Sequence, residues 1–171
     1  MMPSADDLIR SLGLIPHPEG GFYRETHRSH EMLPAPTLPH GRYHGDRCVV
    51  TMIYFLITPG NFSAMHRVAG DELFLFHAGD SVEMLQLHPG GIHSRHRLGL
   101  DLNAGDVPQV VVPGGVWQGL RLPDGGRAGY ALMGCVVAPG FEFDDFELAR
   151  RNELIAAWPG AARQIEQLTR A

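Results

Sequence analysis

The chain has only two cysteines in 171 residues, no apolar run of the length a membrane span requires, and no surplus of basic charge. Each shortage removes a class of explanation. Two cysteines cannot build a disulfide scaffold. Cys48 and Cys135 both lie in apolar β-like runs and read as buried free thiols in a reducing cytoplasm. A membrane helix needs about 20 apolar residues, and neither that nor a signal-peptide pattern is visible, so a cytoplasmic protein is predicted. A net charge of -5 and a pI near 6.0 leave no basic footprint for nucleic acid. Nucleophilic catalysis has little support: Gly-x-Ser-x-Gly is missing, and Cys135 sits mid-strand where a thiol is inert. Pro113-Gly114-Gly115 lacks the Gly-Lys-Ser/Thr ending of a phosphate-cradling loop and reads as a hairpin turn.

What is present is a series of short apolar segments punctuated by turns. Ser4 to Leu12 predicts a helix with Ser4 as its cap, Asp6 and Asp7 in the first turn, and Gly13 after the last. Phe22 to Arg28 predicts a strand, and Glu31 to Asp46, rich in Pro, Gly and His, a long loop. Cys48 to Ile57 is a β-rich run. Further strands are expected around His66, at Glu72–His77, Val82–His88 and Ile92–Leu98, then at Gln109–Val112, Val116–Leu122 and Tyr130–Val137. Turn clusters such as Pro89-Gly90-Gly91 and Pro123-Asp124-Gly125-Gly126 separate them, with no helices between. That pattern predicts an all-β antiparallel sandwich or barrel. Beyond Pro139-Gly140, a helix capped by Asp144 or Asp145 is expected to reach about Trp158, with more helix over Ala161 to Arg170.

Chemistry is concentrated at His66 and Glu72. A tight turn near Ala69-Gly70-Asp71 would bring the two strands that carry them face to face. An imidazole and a carboxylate in one cavity could ligate a divalent ion of the Zn, Mn, Fe or Ni type. They could equally form a general acid–base pair.

The flanking glycines give this stretch a family register. Gly60, His66, Glu72 and Gly79 resemble the first motif of the cupins, small antiparallel β-barrels that often hold a metal in the barrel mouth. The second histidine of that motif is replaced by Val68. Gly105, Pro113 and Gly115 resemble the second motif, with Gln118 in place of its histidine and Leu122 in place of its asparagine. Two of the usual four ligands thus remain, so a tight site is not expected. A weaker set of His66, Glu72 and Gln118, completed by water, stays open, and no metal is obligatory. Pro18-Glu19-Gly20-Gly21, Trp117-Gln118 and the Gly134–Phe146 segment are similar to those of a small, largely uncharacterised cupin subfamily. The resemblance implies an antiparallel cupin jelly-roll barrel over about 14–141 within a single domain, 1–171. It also implies a short N-terminal helix and a C-terminal helical extension over about 144–170, a homodimer, and a ligand-sized cavity. Relatives in shape include sugar-nucleotide epimerases and plant storage and auxin-binding proteins.

Alternation along strands adds wall residues. Phe74 and Phe76 share the face of Glu72. Tyr23 and Glu25 could cover the mouth or pair with a second subunit, while Trp117, beside Gln118, points to core or interface unless a bulge turns it toward ligand. His93 and His96 read as a solvated edge, and His17 as a turn residue. The expected function is binding of a small sugar-like or carboxylated molecule, either in an isomerase or epimerase with His66 as base and Glu72 orienting it, or without turnover. The alternative is a metal-dependent oxygenase or hydrolase.

Overall fold

Residues 3–170 are described by a computed structural model. Helix α1 (Ala5–Leu12) leads into β1 (Ile15–Pro16), β2 (Phe22–Arg28) and β3 (Met32–Leu33). Strands β4 (Arg47–Cys48), β5 (Thr51–Ile57), β6 (Ser63–Val68), β7 (Asp71–Gly79), β8 (Val82–His88) and β9 (Ile92–Leu98) follow. The chain continues through β10 (Gln109–Val112), β11 (Trp117–Arg121), β12 (Ala131–Ala138) and β13 (Phe146–Leu148), then α2 (Arg151–Ala157) and α3 (Ala162–Gln167).

The strands form two main antiparallel sheets. One has the order β1-β2-β5-β12-β7-β10 and the other β13-β6-β11-β8-β9. Period-two alternation gives each sheet an inner apolar face. Phe55, Ile57, Phe74, Met84, Leu120 and Met133 interdigitate between them as the main core. Two satellite clusters cover outer faces. Leu8, Ile9 and Leu12 of α1 pack on Leu14, Leu56 and Tyr130. The C-terminal helices bury Leu154, Ile165 and Leu168 against Met65, Leu85 and Leu87. The all-β jelly-roll expectation therefore holds, as does the capped N-terminal helix. The Ser4 hydroxyl accepts from the Asp7 N–H at 3.2 Å, and Gly13 takes the left-handed conformation after the last turn.

Two expectations need correction. The run Cys48–Ile57 is not one strand: β4 pairs with β3 in a separate ribbon, and the chain turns at Val49 and Val50 before β5. The helix expected from Asp144 starts only at Arg151. Phe146–Leu148 instead pairs with Val68, Arg67 and His66 of β6. Asp145 is drawn away from capping by Arg47, whose Nε and Nη2 each donate to it at 2.6 Å in a buried bidentate pair. No helix among the described residues is long and apolar enough to cross a membrane.

Candidate functional site

A cavity of about 290 Å³ opens between the sheets at the end where β6 and β7 join. Strands β2 and β5 supply Tyr23, Glu25, Arg28, Thr51, Ile53 and Phe55, and β6 and β7 supply His66, Val68, Glu72 and Phe74. Cys135 and Val137 of β12 complete the wall. Phe141, Glu142, Phe143 and Phe146 form a cap, and the turn before β2 contributes His17 and Glu19.

That turn is built by its glycines. Gly20 and Gly21 have φ of 114° and 72°, where a side chain is strained. A Cβ on Gly20 would also strike the Phe62 carbonyl. Close approach to β6 drives the Glu19 side chain inward, where it is only 6% exposed.

Glu19 is the hub of the buried polar groups. Its Oε2 lies 3.3 Å from His66 Nε2 and 3.3 Å from His17 Nδ1. Its Oε1 accepts from the Ser63 hydroxyl at 2.7 Å. The tautomers follow from the partners. His66 Nδ1 donates to the Ala64 carbonyl at 2.8 Å, so Nε2 carries the lone pair when the ring is neutral. His17 Nδ1 accepts from the Glu19 backbone N–H at 3.3 Å. Oε2 thus faces two acceptors, an arrangement satisfied by a protonated carboxyl that donates to one of them. By distance alone His66 and Glu19 would count as an ion pair, but both are buried and the neutral form fits better. Burial pushes the Glu19 carboxyl up to about 8, against the pull of Ser63 and the Arg170 charge. Burial also lowers His17 to about 4, helped by His66, and lowers His66, opposed by Glu72 and the Ala64 carbonyl.

Glu72 stands apart from that hub. Its Oε2 accepts from Gln118 Nε2 at 2.5 Å, and burial raises it to about 7 against the opposing influence of His66. Burial likewise keeps Cys135 a thiol.

The structure brings together His66, Glu72, Phe74, Tyr23 and Glu25. It holds Gln118 fully buried behind Glu72. Two residues lie elsewhere. Phe76 is half-buried against the main core and is not part of the cavity wall. Trp117 packs on the outer cluster under the C-terminal helices, with the Arg67 guanidinium 4.6 Å from its ring centre. The bulge between Gln118 and Leu120 does not turn it inward. His93 is exposed on edge strand β9, and His96 pairs with Ser94. Sequence reasoning missed Glu19, Ser63, Arg28 and the phenylalanine cap. Glu19 had a usable signal: a carboxylate held between Pro18 and two glycines directly before a strand.

The donor set does not suit a metal. Among the described residues no group of three His, Cys, Asp or Glu side chains is arranged to hold one. Val68 lines the wall where the motif's second histidine would donate. Gln118 presents its N–H, not its carbonyl, toward Glu72. The weaker set of His66, Glu72 and Gln118 therefore has its amide oxygen turned away and one of the two Glu72 oxygens taken. No lysine is present to form a Schiff base, because every basic residue besides histidine is arginine.

Comparison with known proteins identifies the fold and the family. A protein of Shewanella oneidensis, SO0799, is 39% identical and superimposes with a TM-score of 0.84, over 99% of both chains. A hypothetical protein from Leishmania major is 32% identical, with a TM-score of 0.89 over 99% of this chain and all of that one. The uncharacterized protein YML079W of Saccharomyces cerevisiae is 32% identical over 169 residues, 95% of this chain and 84% of its own length. The profile described as Cupin superfamily (DUF985) matches residues 6–149, and the chain belongs to that family.

Proposed function

We propose that this cupin binds a small hydroxylated carbonyl compound in its cavity and moves a proton on it, in the manner of an isomerase or epimerase. The observation that carries the reading is a pair of separate buried protonatable groups, Glu72 and the Glu19–His66 couple, on one cavity wall. Glu72, near 7, is partly ionised at neutral pH and suited to take a proton from the carbon beside the carbonyl. Glu19, near 8, holds its proton. From the cavity wall it can deliver that proton to the carbonyl oxygen, giving an enediol that collapses in reverse on the other carbon. Groups whose environments separate their proton affinities are the usual basis of such acid and base roles. The orienting partner of His66 is thus Glu19, in place of Glu72.

Incubation in D2O with glyceraldehyde, dihydroxyacetone and the aldopentoses tests the reaction. Loss of the NMR signal of the proton beside the carbonyl, on C2 of the aldoses and C1 of dihydroxyacetone, is expected, and Glu72→Gln abolishes it while circular dichroism stays unchanged. Stabilisation by one of these compounds with no exchange would instead establish a binding protein without turnover. A homodimer through the outer edge of β2 belongs to the same proposal. Strand β1 pairs only with Phe22 and Tyr23, which leaves the edge of Arg24–Arg28 open. Sedimentation equilibrium showing monomer alone would remove it.

A further inference from the structure

The charges around the cavity are unequal. Four carboxyl groups line it: Glu19 holds its proton, Glu72 is partly ionised, and Glu25 and Glu142 stand against the single guanidinium of Arg28. That guanidinium is already engaged. Its Nε and Nη2 donate to the two oxygens of Glu25 at 3.1 and 2.9 Å, and its Nη1 donates to Glu142 at 2.6 Å. The Phe141 carbonyl accepts from Nη2 at 3.2 Å. An anion entering here would pass Glu25 and Glu142 at the mouth and meet no free positive group. The carboxylated half of the expected ligand class is therefore disfavoured.

The rings supply an independent observation. Phe141 and Phe143 stand edge to face with centres 5.1 Å apart, and Phe143 and Phe146 cross at 78° with centres 6.3 Å apart. His17 and Tyr23 are perpendicular at 4.6 Å. His17 stacks on Phe143 at 6.0 Å and 25°, and His66 lies tilted by 33° to Phe146 at 5.4 Å. The cluster thus presents rings in several orientations around the cavity, and an aromatic face attracts positive charge. Phe143 is 51% exposed, so the cluster reaches the cavity mouth. Deeper in, Glu72 is only 7% exposed and makes its one side-chain hydrogen bond through Oε2. Glu72 lines the cavity, and its Oε1 accepts no hydrogen bond among the described residues, so it is open to a ligand O–H or N–H.

We propose that the ligand is a small hydroxylated carbonyl compound that also carries an ammonium group, as an amino sugar does. Its cationic end lies against the rings of Tyr23, Phe143 and Phe146, and its hydroxyl reaches Glu72. The placement of the hydroxyl rests on the proton-transfer reading above. The preference for positive charge rests on the ring faces and the engaged arginine.

Three probes of one shape separate charge from fit: choline, its neutral carbon analogue 3,3-dimethylbutan-1-ol, and the anion 3,3-dimethylbutanoate. Isothermal titration at low ionic strength is expected to show choline binding about tenfold or more tighter than the alcohol. Phe143→Ala should weaken choline several-fold and leave the alcohol nearly unchanged. Both substituted positions are exposed enough for the fold to persist when Glu142→Gln is added as a second variant with the same expected effect. Equal or tighter binding of the alcohol or the anion overturns the cationic class and leaves the binding cavity standing. Binding of none of the three up to about 50 mM overturns the class as well, and only the D2O exchange assay then bears on the proton-transfer reading.

Discussion

Replacing Glu19 with glutamine tests whether the hub is neutral. A buried carboxyl that titrates at about 8 instead of 4.5 must bind a proton on folding throughout that interval. Below pH 4.5 both folded and unfolded states are protonated, and the group costs nothing. As pH rises the unfolded state ionises freely while the folded one does not, so stability falls until about pH 8 and then levels. At about 1.4 kcal/mol for each pH unit, the span from 4.5 to about 8 sets a ceiling of about 5 kcal/mol. Glutamine keeps the geometry without the titration: its oxygen accepts from Ser63, and its N–H groups face His66 Nε2 and His17 Nδ1. Urea denaturation of both proteins from about pH 5 to about pH 8.5 is the assay. Glu19→Gln is expected to match the parent near pH 5 and to exceed it by about 2 kcal/mol or more near pH 8.5. A loss of about 3–5 kcal/mol in the variant near pH 5 would refute the reasoning, because that is the mark of a buried ion pair with one partner removed.

Three further outcomes follow from the same site. His17 titrates near 4 in the folded state against 6.5 unfolded, so its contribution is lost as pH falls from 6.5 toward 4. His17→Asn should remove that acid-side loss, and parallel urea midpoints against pH would contradict it. Asp145→Ala leaves the buried Arg47 unpaired and should cost about 3–5 kcal/mol in urea denaturation; a cost under about 1 kcal/mol would show that the pair does not anchor the cap. Elemental analysis of protein purified without chelator should find transition metal well below one equivalent, with Val68→His raising it by restoring a third ligand beside His66 and Glu72. A full equivalent in the parent protein, lost in His66→Ala and Glu72→Ala, would reinstate the weak His66–Glu72–Gln118 site.

Residues that act locally were legible in the sequence. The Ser4 cap, the turn glycines and the alternation through Glu72, Phe74 and Phe76 are written in short spacings, and the strands of both sheets follow from them. The spacing also placed His66 and Glu72 on one cavity. Where long-range partners competed, local signals misled. Asp145 has the chemistry of a helix cap, yet a buried arginine almost a hundred positions earlier takes it. Phe76 continues the alternation of Phe74 but lies past the end of the cavity.

The sequence by itself determined the all-β architecture, the family register and the loss of the motif's second histidine at Val68, because each is encoded in neighbours a few residues apart. Only the tertiary structure decided who partners His66. Glu19 lies 47 positions before it and reaches it because the glycine turn folds against β6, which no local period reports. The charge balance at the mouth was hidden for the same reason: Arg28 is cancelled by Glu142, 114 residues away, and that pairing exists only once the cap has closed over the sheets.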